Sequence, residues 1–210
     1  MTLAVYYPSY IFPIFDLHMH AGFEAYLKEN MQLPDDEFRL MCSFAVERKL
    51  HRKQMLLQEG EICRFKIFVC KGLIRTYRTS EDGTEHIIQF SPENFWVTEP
   101  DSLHNGTPSR YYIDVLEDSE IIFWTKRDFD FLYAQVPRLK NFTERLISRN
   151  VTLGRDRIFS TISATPEEKY DEFVQTYPSV FARVPLHMIA SYLGLSLKTL
   201  SRVRHAQLKR

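Results

Sequence analysis

Chemistry is concentrated at the end of the chain. Lys198, Arg202, Arg204, Lys209 and Arg210 stand between Leu195 and Arg210, with no acid among them. Those five leave 22 of the 27 Lys/Arg for the remainder, against all 27 Asp/Glu. A basic tip therefore sits on an acidic body, although the formal net charge is zero. A neutral total argues against a nucleic-acid binder, and a charge run alone is most simply a solvated helix face. The spacing says more. Pro185 opens a short helix whose apolar positions are Ile189, Ala190 and Leu193. Gly194 falls where the chain needs a left-handed turn, Leu195 follows as an apolar plug, and Ser196 is placed to cap a second helix. That helix turns Leu200 and Val203 inward and Lys198, Thr199, Ser201, Arg202 and His205 outward. A bracing helix, a tight turn and an exposed basic helix form the arrangement that enters a DNA major groove.

Other reactive residue types are scattered. His18-x-His20-x-x-x-Glu24 has the ligand spacing of a cupin metal site. It precedes the strands and lacks flanking glycines, so two exposed histidines are the simpler reading and no metal is expected. A cupin enzyme would instead carry metal on His18 and His20. His86 and His104 have no partner at ligand spacing. Cys42, Cys63 and Cys70 are odd in number and form no Cys-x-x-Cys, which fits a reducing cytoplasm better than a disulfide framework. No nucleophile elbow, phosphate-binding loop or paired-carboxylate signature is present, so no enzyme is expected.

The elements that must position the C-terminal residues follow from pattern. The 210 residues suffice for two modest domains, and 44% apolar with 14% aromatic content supports a sizeable core. Residues 22–44 read as helical with a break at Leu33-Pro34. Short β-branched and aromatic runs at 53–58, 65–70, 72–79, 85–90, 111–116 and 120–125 read as strands, with Asp82-Gly83 a strong hairpin turn. Many such strands imply an antiparallel barrel or jelly roll. The polar stretch 91–110 is long enough to be functional. A helix is expected from Pro137, with Leu139, Leu146 and Leu153 every seventh residue, Phe142 alongside and Asn150 near the stripe. That stripe fits a dimer seam and equally one amphipathic helix packed on its own domain. Thr165-Pro166-Glu167-Glu168 is a capping box opening another helix, which Tyr177-Pro178 should end. The apolar N-terminus is broken by Pro8 and Pro13 and is too short for a bilayer span.

Ile189-Ala190, Leu193-Gly194, Ser196, Thr199-Leu200 and Ser201-Arg202 together resemble the helix-turn-helix of the Crp/Fnr regulator family. Gly60-Glu61, Gly72 and Asp82-Gly83 resemble the glycine-marked turns of its β-roll, and the helix after Pro137 resembles its central dimer helix. The resemblance covers roughly residues 22–210 as an order of elements. It implies an α+β fold: an antiparallel, cyclic-nucleotide-binding-like β-roll or jelly roll with N-terminal helices, a long dimerisation helix and a C-terminal helix-turn-helix. The expected division is an N-terminal arm (1–21), a sensor (22–134), a central helix (135–163) and a DNA-binding domain (164–210) in which the family's β-hairpin wing is absent.

By the same resemblance Ser196 and Thr199 would touch phosphates, and Lys198, Ser201 and Arg202 would face base edges beside His205, with Arg202 reading guanine. Leu139, Phe142, Leu146, Asn150 and Leu153 would form the dimer contact. The implied partners are double-stranded DNA, a second copy, RNA polymerase and a small-molecule effector, with no membrane. The family's phosphate-binding cassette needs a Gly-Glu turn and an Arg-Ser/Thr pair. Here no glycine precedes Glu99, Pro100 follows it, and Arg110 precedes Tyr111. Glu99 and Arg110 thus remain the effector candidates, and cAMP or cGMP is not expected. Fnr-like members can hold an iron–sulfur cluster, which the three scattered cysteines do not support. The alternative is a cyclic-nucleotide-like or cupin-like ligand-binding or protein-interaction module without DNA binding.

Overall fold

A computed structural model describes residues 17–207, with side chains from residue 21. Residues 1–16 of the arm expected over 1–21, the side chains of His18 and His20, and residues 208–210 lie outside the described residues.

Helix α1 (Leu17–Met31) begins upstream of the expected position 22. It ends before Pro34, and α2 (Asp35–Ser43) starts on three acids that suit the positive end of a helix dipole. Eight strands follow: β1 (Val46–Leu50), β2 (Met55–Leu57), β3 (Phe65–Lys71), β4 (Ile74–Thr79), β5 (Glu85–Ser91), β6 (Trp96–Val97), β7 (Tyr112–Val115) and β8 (Ser119–Thr125). They form two antiparallel sheets, in the orders β1-β8-β3-β6 and β2-β7-β4-β5. The hairpin at Asp82-Gly83 joins β4 to β5, with Gly83 at φ 83°. Strands β1 and β6 escape the sequence reading because β1 is mostly charged and β6 is two residues long. A short helix, α3 (Pro100–Asn105), lies inside the stretch expected to be loop.

Alternation along the strands feeds two cores at once. Ile67 and Val69 of β3 and Ile121 of β8 pack between the sheets, while Phe68, Ile122 and Trp124 face the helices. On the helical side they meet Phe23, Leu27 and Met41, and the Trp124 indole N–H donates to the Met41 carbonyl at 2.9 Å. Helix α4 (Lys126–Gln135) and the start of α5 (Pro137–Ser163) close this core.

Here the dimer expectation needs correcting. Leu139 and Phe142 are buried against their own β-roll, and Leu146 packs on the same cluster, so none of the three lies on an open seam. Asn150 and Leu153 are exposed. The apolar face that α5 leaves uncovered runs through Ile147, Val151, Ile158, Phe159 and Ile162, with Phe159 70% and Ile162 81% exposed. A seven-residue repeat drifts only about 20° per heptad, so Leu153 stays on the side of Leu139, but it stands about 21 Å further along α5, past the cluster that covers the first turns.

Beyond α5 come α6 (Pro166–Thr176), α7 (Pro178–Arg183), α8 (Leu186–Leu193) and α9 (Leu197–Gln207). The capping box at α6 forms in both directions: Thr165 N–H donates to Glu168 at 2.8 Å, and Glu168 N–H to the Thr165 hydroxyl at 3.3 Å. Pro178 does end α6, but it also opens α7, because proline suits a first helical turn. These C-terminal helices share one apolar cluster with the β-roll. Tyr77, Ile87 and Phe90 of β4 and β5 pack with Phe173, Ile189 and Leu200. The boundary drawn at 164 therefore crosses a continuous core.

Candidate nucleic-acid interface

The turn between α8 and α9 forms as its residue types require. Gly194 adopts φ 65°, ψ 32°, the left-handed cap, and the Leu195 N–H returns to the Ala190 carbonyl at 2.9 Å. Ser196 accepts the Thr199 N–H at 3.0 Å, and its hydroxyl lies 2.8 Å from that of Thr199. Leu200 and Val203 are buried against Ile189, Ala190 and Leu193. The opposite face of α9 presents Lys198, Arg202 and His205 to solvent, with Thr199 and Ser201 half-buried. The His205 Nδ1–H donates to the Ser201 carbonyl at 2.8 Å, which orients the ring. The six candidates thus fall on one helix and its cap. Arg204 faces elsewhere, close enough to Tyr170 of α6 to act on its phenol.

What fixes this pair of helices on the β-roll was missed in the sequence. Strand β5 is a sheet edge, so its outer backbone groups need partners. Ser191 of α8 supplies two: its hydroxyl donates to the Glu85 carbonyl at 2.7 Å and accepts the Ile87 N–H at 3.0 Å. Arg157 of α5 reaches the Ile87 carbonyl at 3.2 Å, the Ile88 carbonyl, and the Tyr192 carbonyl at 2.8 Å. Its guanidinium also sits 3.9 Å over the Tyr192 ring, a cation–π contact. One arginine therefore ties α5, the edge strand β5 and α8 together.

Arg183, at the end of α7, adds a second tie. It donates to both Glu93 oxygens at 2.9 and 3.0 Å, and to Glu117 at 3.2 Å. Glu93 also accepts the Gly72 N–H at 2.9 Å. Burial would raise the Glu93 carboxyl, but Arg183 and two backbone N–H groups outweigh it and hold it below the usual range. These contacts join residues 66 and 90 positions apart. No local spacing signals them; Arg183 reads in the sequence as one more surface cation.

Between the β4–β5 hairpin and the turn of α8 and α9 lies a cavity of about 500 Å³, lined by Arg75, His86, His187, Met188, Ser191 and Leu197 among others. Arg75 is closed off within it: it grips Asp114 at 2.7 and 2.9 Å and Glu85 at 2.6 Å, and lies 4.1 Å over the Tyr77 ring.

No hydrogen bond or ion pair joins the effector candidates among the described residues. Glu99 is buried as the cap of α3, accepting the N–H groups of Asp101 at 3.3 Å and Ser102 at 2.7 Å. Its carboxylate is thus engaged within its own turn, which corrects its expected effector role. Arg110 is exposed beyond the other end of α3. The cysteines are free, and burial pushes Cys42 and Cys70 up to about 12, so neither offers a ready thiolate to iron. Among the described residues no group of three His, Cys, Asp or Glu side chains is placed to hold a metal, and no helix is long and apolar enough to cross a membrane.

Comparison with known proteins agrees with this architecture. The cyclic nucleotide-binding domain family matches residues 47–136. The chain is 25% identical over 171 residues to the anaerobic regulatory protein of Pasteurella multocida, covering 75% of this chain but 62% of that one. It is 27% identical over 172 residues to the fumarate and nitrate reduction regulatory protein of Escherichia coli strain K12, covering 75% and 68%. FixK2 from Bradyrhizobium japonicum superposes with a TM-score of 0.69 at 18% identity, over 79% of this chain and 85% of that one. With the two-sheet roll, the long α5 and the α8–α9 corner in order, the chain carries a cyclic nucleotide-binding domain over residues 47–136 and is similar in sequence and fold to regulators of the Crp/Fnr kind.

Proposed function

We propose that this protein is a DNA-binding transcription regulator that acts as a dimer, with its β-roll sensing an effector. The observation that carries the reading is α9: a well-capped helix packed on α8 by Leu200 and Val203, presenting Lys198 and Arg202 to solvent without an ion pair among the described residues. Such cations give sequence-independent attraction to phosphates, and those reaching base edges add selectivity.

Dimerisation is supported by the uncovered apolar face of α5. Ile147, Val151, Ile158, Phe159 and Ile162 continue down one helix, and a second copy in parallel would bury them. Two α9 helices would then address major-groove faces about one helical turn apart. The effector is not cAMP or cGMP in this reading, since Glu99 and Arg110 do not converge. A regulator of this kind works where chromosomal DNA lies, and contact with RNA polymerase at the promoter belongs to the same proposal.

The test is binding of the full chain to genomic fragments, its own promoter region included, across a salt series. Saturable, sequence-selective binding that weakens steeply with salt supports the reading. Binding that is absent, or indifferent to sequence, refutes it and leaves the β-roll as a ligand or protein-interaction module.

A further inference from the structure

The cavity of about 500 Å³ beneath the α8–α9 turn has two unlike walls, and its size is that of a small-molecule site. The polar wall belongs to the sheet, where Arg75 of β4 pairs with Asp114 of β7 and Glu85 of β5. The apolar wall is made by Met188 of α8, Leu195 in the turn and Leu197 at the start of α9, with Ile87 of β5. Arg75 is engaged there but not spent. Its side chain is only 9% exposed, and a guanidinium carries five N–H donors. The Nε donor and one on Nη2 go to Asp114, and one on Nη1 goes to Glu85. One N–H is left on each terminal nitrogen. Glu85, at the half-exposed rim, gives Arg75 its Oε2, and its Oε1 accepts no hydrogen bond among the described residues. One cation and two carboxylates leave a net charge of −1, which repels a lone anion.

We propose that this cavity binds a free α-amino acid with an apolar side chain. Its ammonium donates to Glu85 Oε1, and its carboxylate accepts the two remaining Arg75 N–H groups. Both bonds are charge-assisted, and the zwitterion lies head to tail along the Arg75–Glu85 pair. Its side chain meets Met188, Leu195 and Leu197. The ligand thus holds the β-roll by its polar end and the α8–α9 corner by its apolar end. Ser191 already joins α8 to the Glu85 carbonyl at 2.7 Å and to the Ile87 N–H at 3.0 Å, so binding reinforces an existing contact. This gives the effector a chemical class, and it rests on the regulator reading above for its consequence at DNA.

The test is calorimetric titration of the full chain with L-phenylalanine, with phenethylamine, which lacks the carboxylate, and with 3-phenylpropanoate, which lacks the ammonium. The expected result is saturable binding of one L-phenylalanine per chain, with each analogue at least tenfold weaker. Glu85→Gln, at a half-exposed side chain, should melt near the parent and bind L-phenylalanine at least tenfold more weakly. Met188→Trp should fill the cavity and abolish binding. If either analogue binds as tightly as L-phenylalanine, or if both variants bind it as the parent does, the inference fails. It also fails if L-phenylalanine, L-leucine and L-methionine all give no saturable heat up to about 10 mM. Because the titration contains no DNA, the two readings fail separately. Amino-acid binding by a chain that does not bind DNA upholds this site and refutes the regulator, and the converse refutes this site alone.

Discussion

Replacing Arg183 with glutamine removes one end of the tie between α7 and the sensor. The side chain is 23% exposed and its partners Glu93 and Glu117 are 36% and 38% exposed, so water screens both pairs. At about 0.5–1 kcal/mol for each half-exposed pair, the loss is about 1–2 kcal/mol. For a chain of this size that lowers the melting temperature by about 2–8 °C. The pH dependence has a sign. Glu93 is held below its unfolded value, so its share of stability is present above the unfolded carboxylate range near 4 and is lost as pH falls through the lower folded value. The difference between Arg183→Gln and the parent should therefore be full at pH 7 and shrink in acid. Thermal melts at several pH values measure this. Hydrogen exchange at the Ile87 N–H, which Ser191 protects, reports whether α8 lifts from β5. Equal melting at pH 7 together with unchanged exchange at Ile87 would refute the tie between α7 and the β-roll.

Three further outcomes follow from the geometry. Phe159→Asp in the uncovered face of α5 should shift the chain from dimer to monomer in sedimentation while leaving the β-roll folded, because Phe159 touches little of its own subunit; an unchanged mass would remove α5 from the dimer contact. Gly72→Ala should cost about 3 kcal/mol in urea unfolding, since Gly72 sits at φ 105° and an added Cβ would lie 2.1 Å from the Ser119 hydroxyl and 2.7 Å from its Cα; a loss under about 1 kcal/mol would contradict that contact. With Cys42 and Cys70 pushed up to about 12, thiol reagents at pH 8 should modify them slowly in the native protein and rapidly after unfolding, as mass spectrometry of labelled peptides will read.

Local chemistry made the α8–α9 corner legible. Gly194 demands a left-handed turn, Ser196 a helix start, and Leu200 with Val203 a buried side, so the exposed side of α9 follows from helical periodicity alone. The Thr165 capping box and the Asp82-Gly83 hairpin were readable for the same reason, each being complete within four residues. Other features depend on partners far away in the chain. Whether Leu139 and Phe142 face a second subunit or their own β-roll cannot be decided by a seven-residue repeat, which both environments satisfy; the packing of α1 against β3 decided it. Glu99 resembled a ligand acid until the turn after it supplied two N–H groups. Arg157 and Arg183 carried no signal, because their meaning lies in the free edge of β5 and in Glu93 and Glu117, which only the folded chain brings within reach. The sequence by itself determined the order of elements and the exposed face of α9, since both are written in near-neighbour spacing. The tertiary structure decided which face of α5 stays open and what holds the C-terminal helices on the β-roll, since both depend on contacts between residues far apart in the chain.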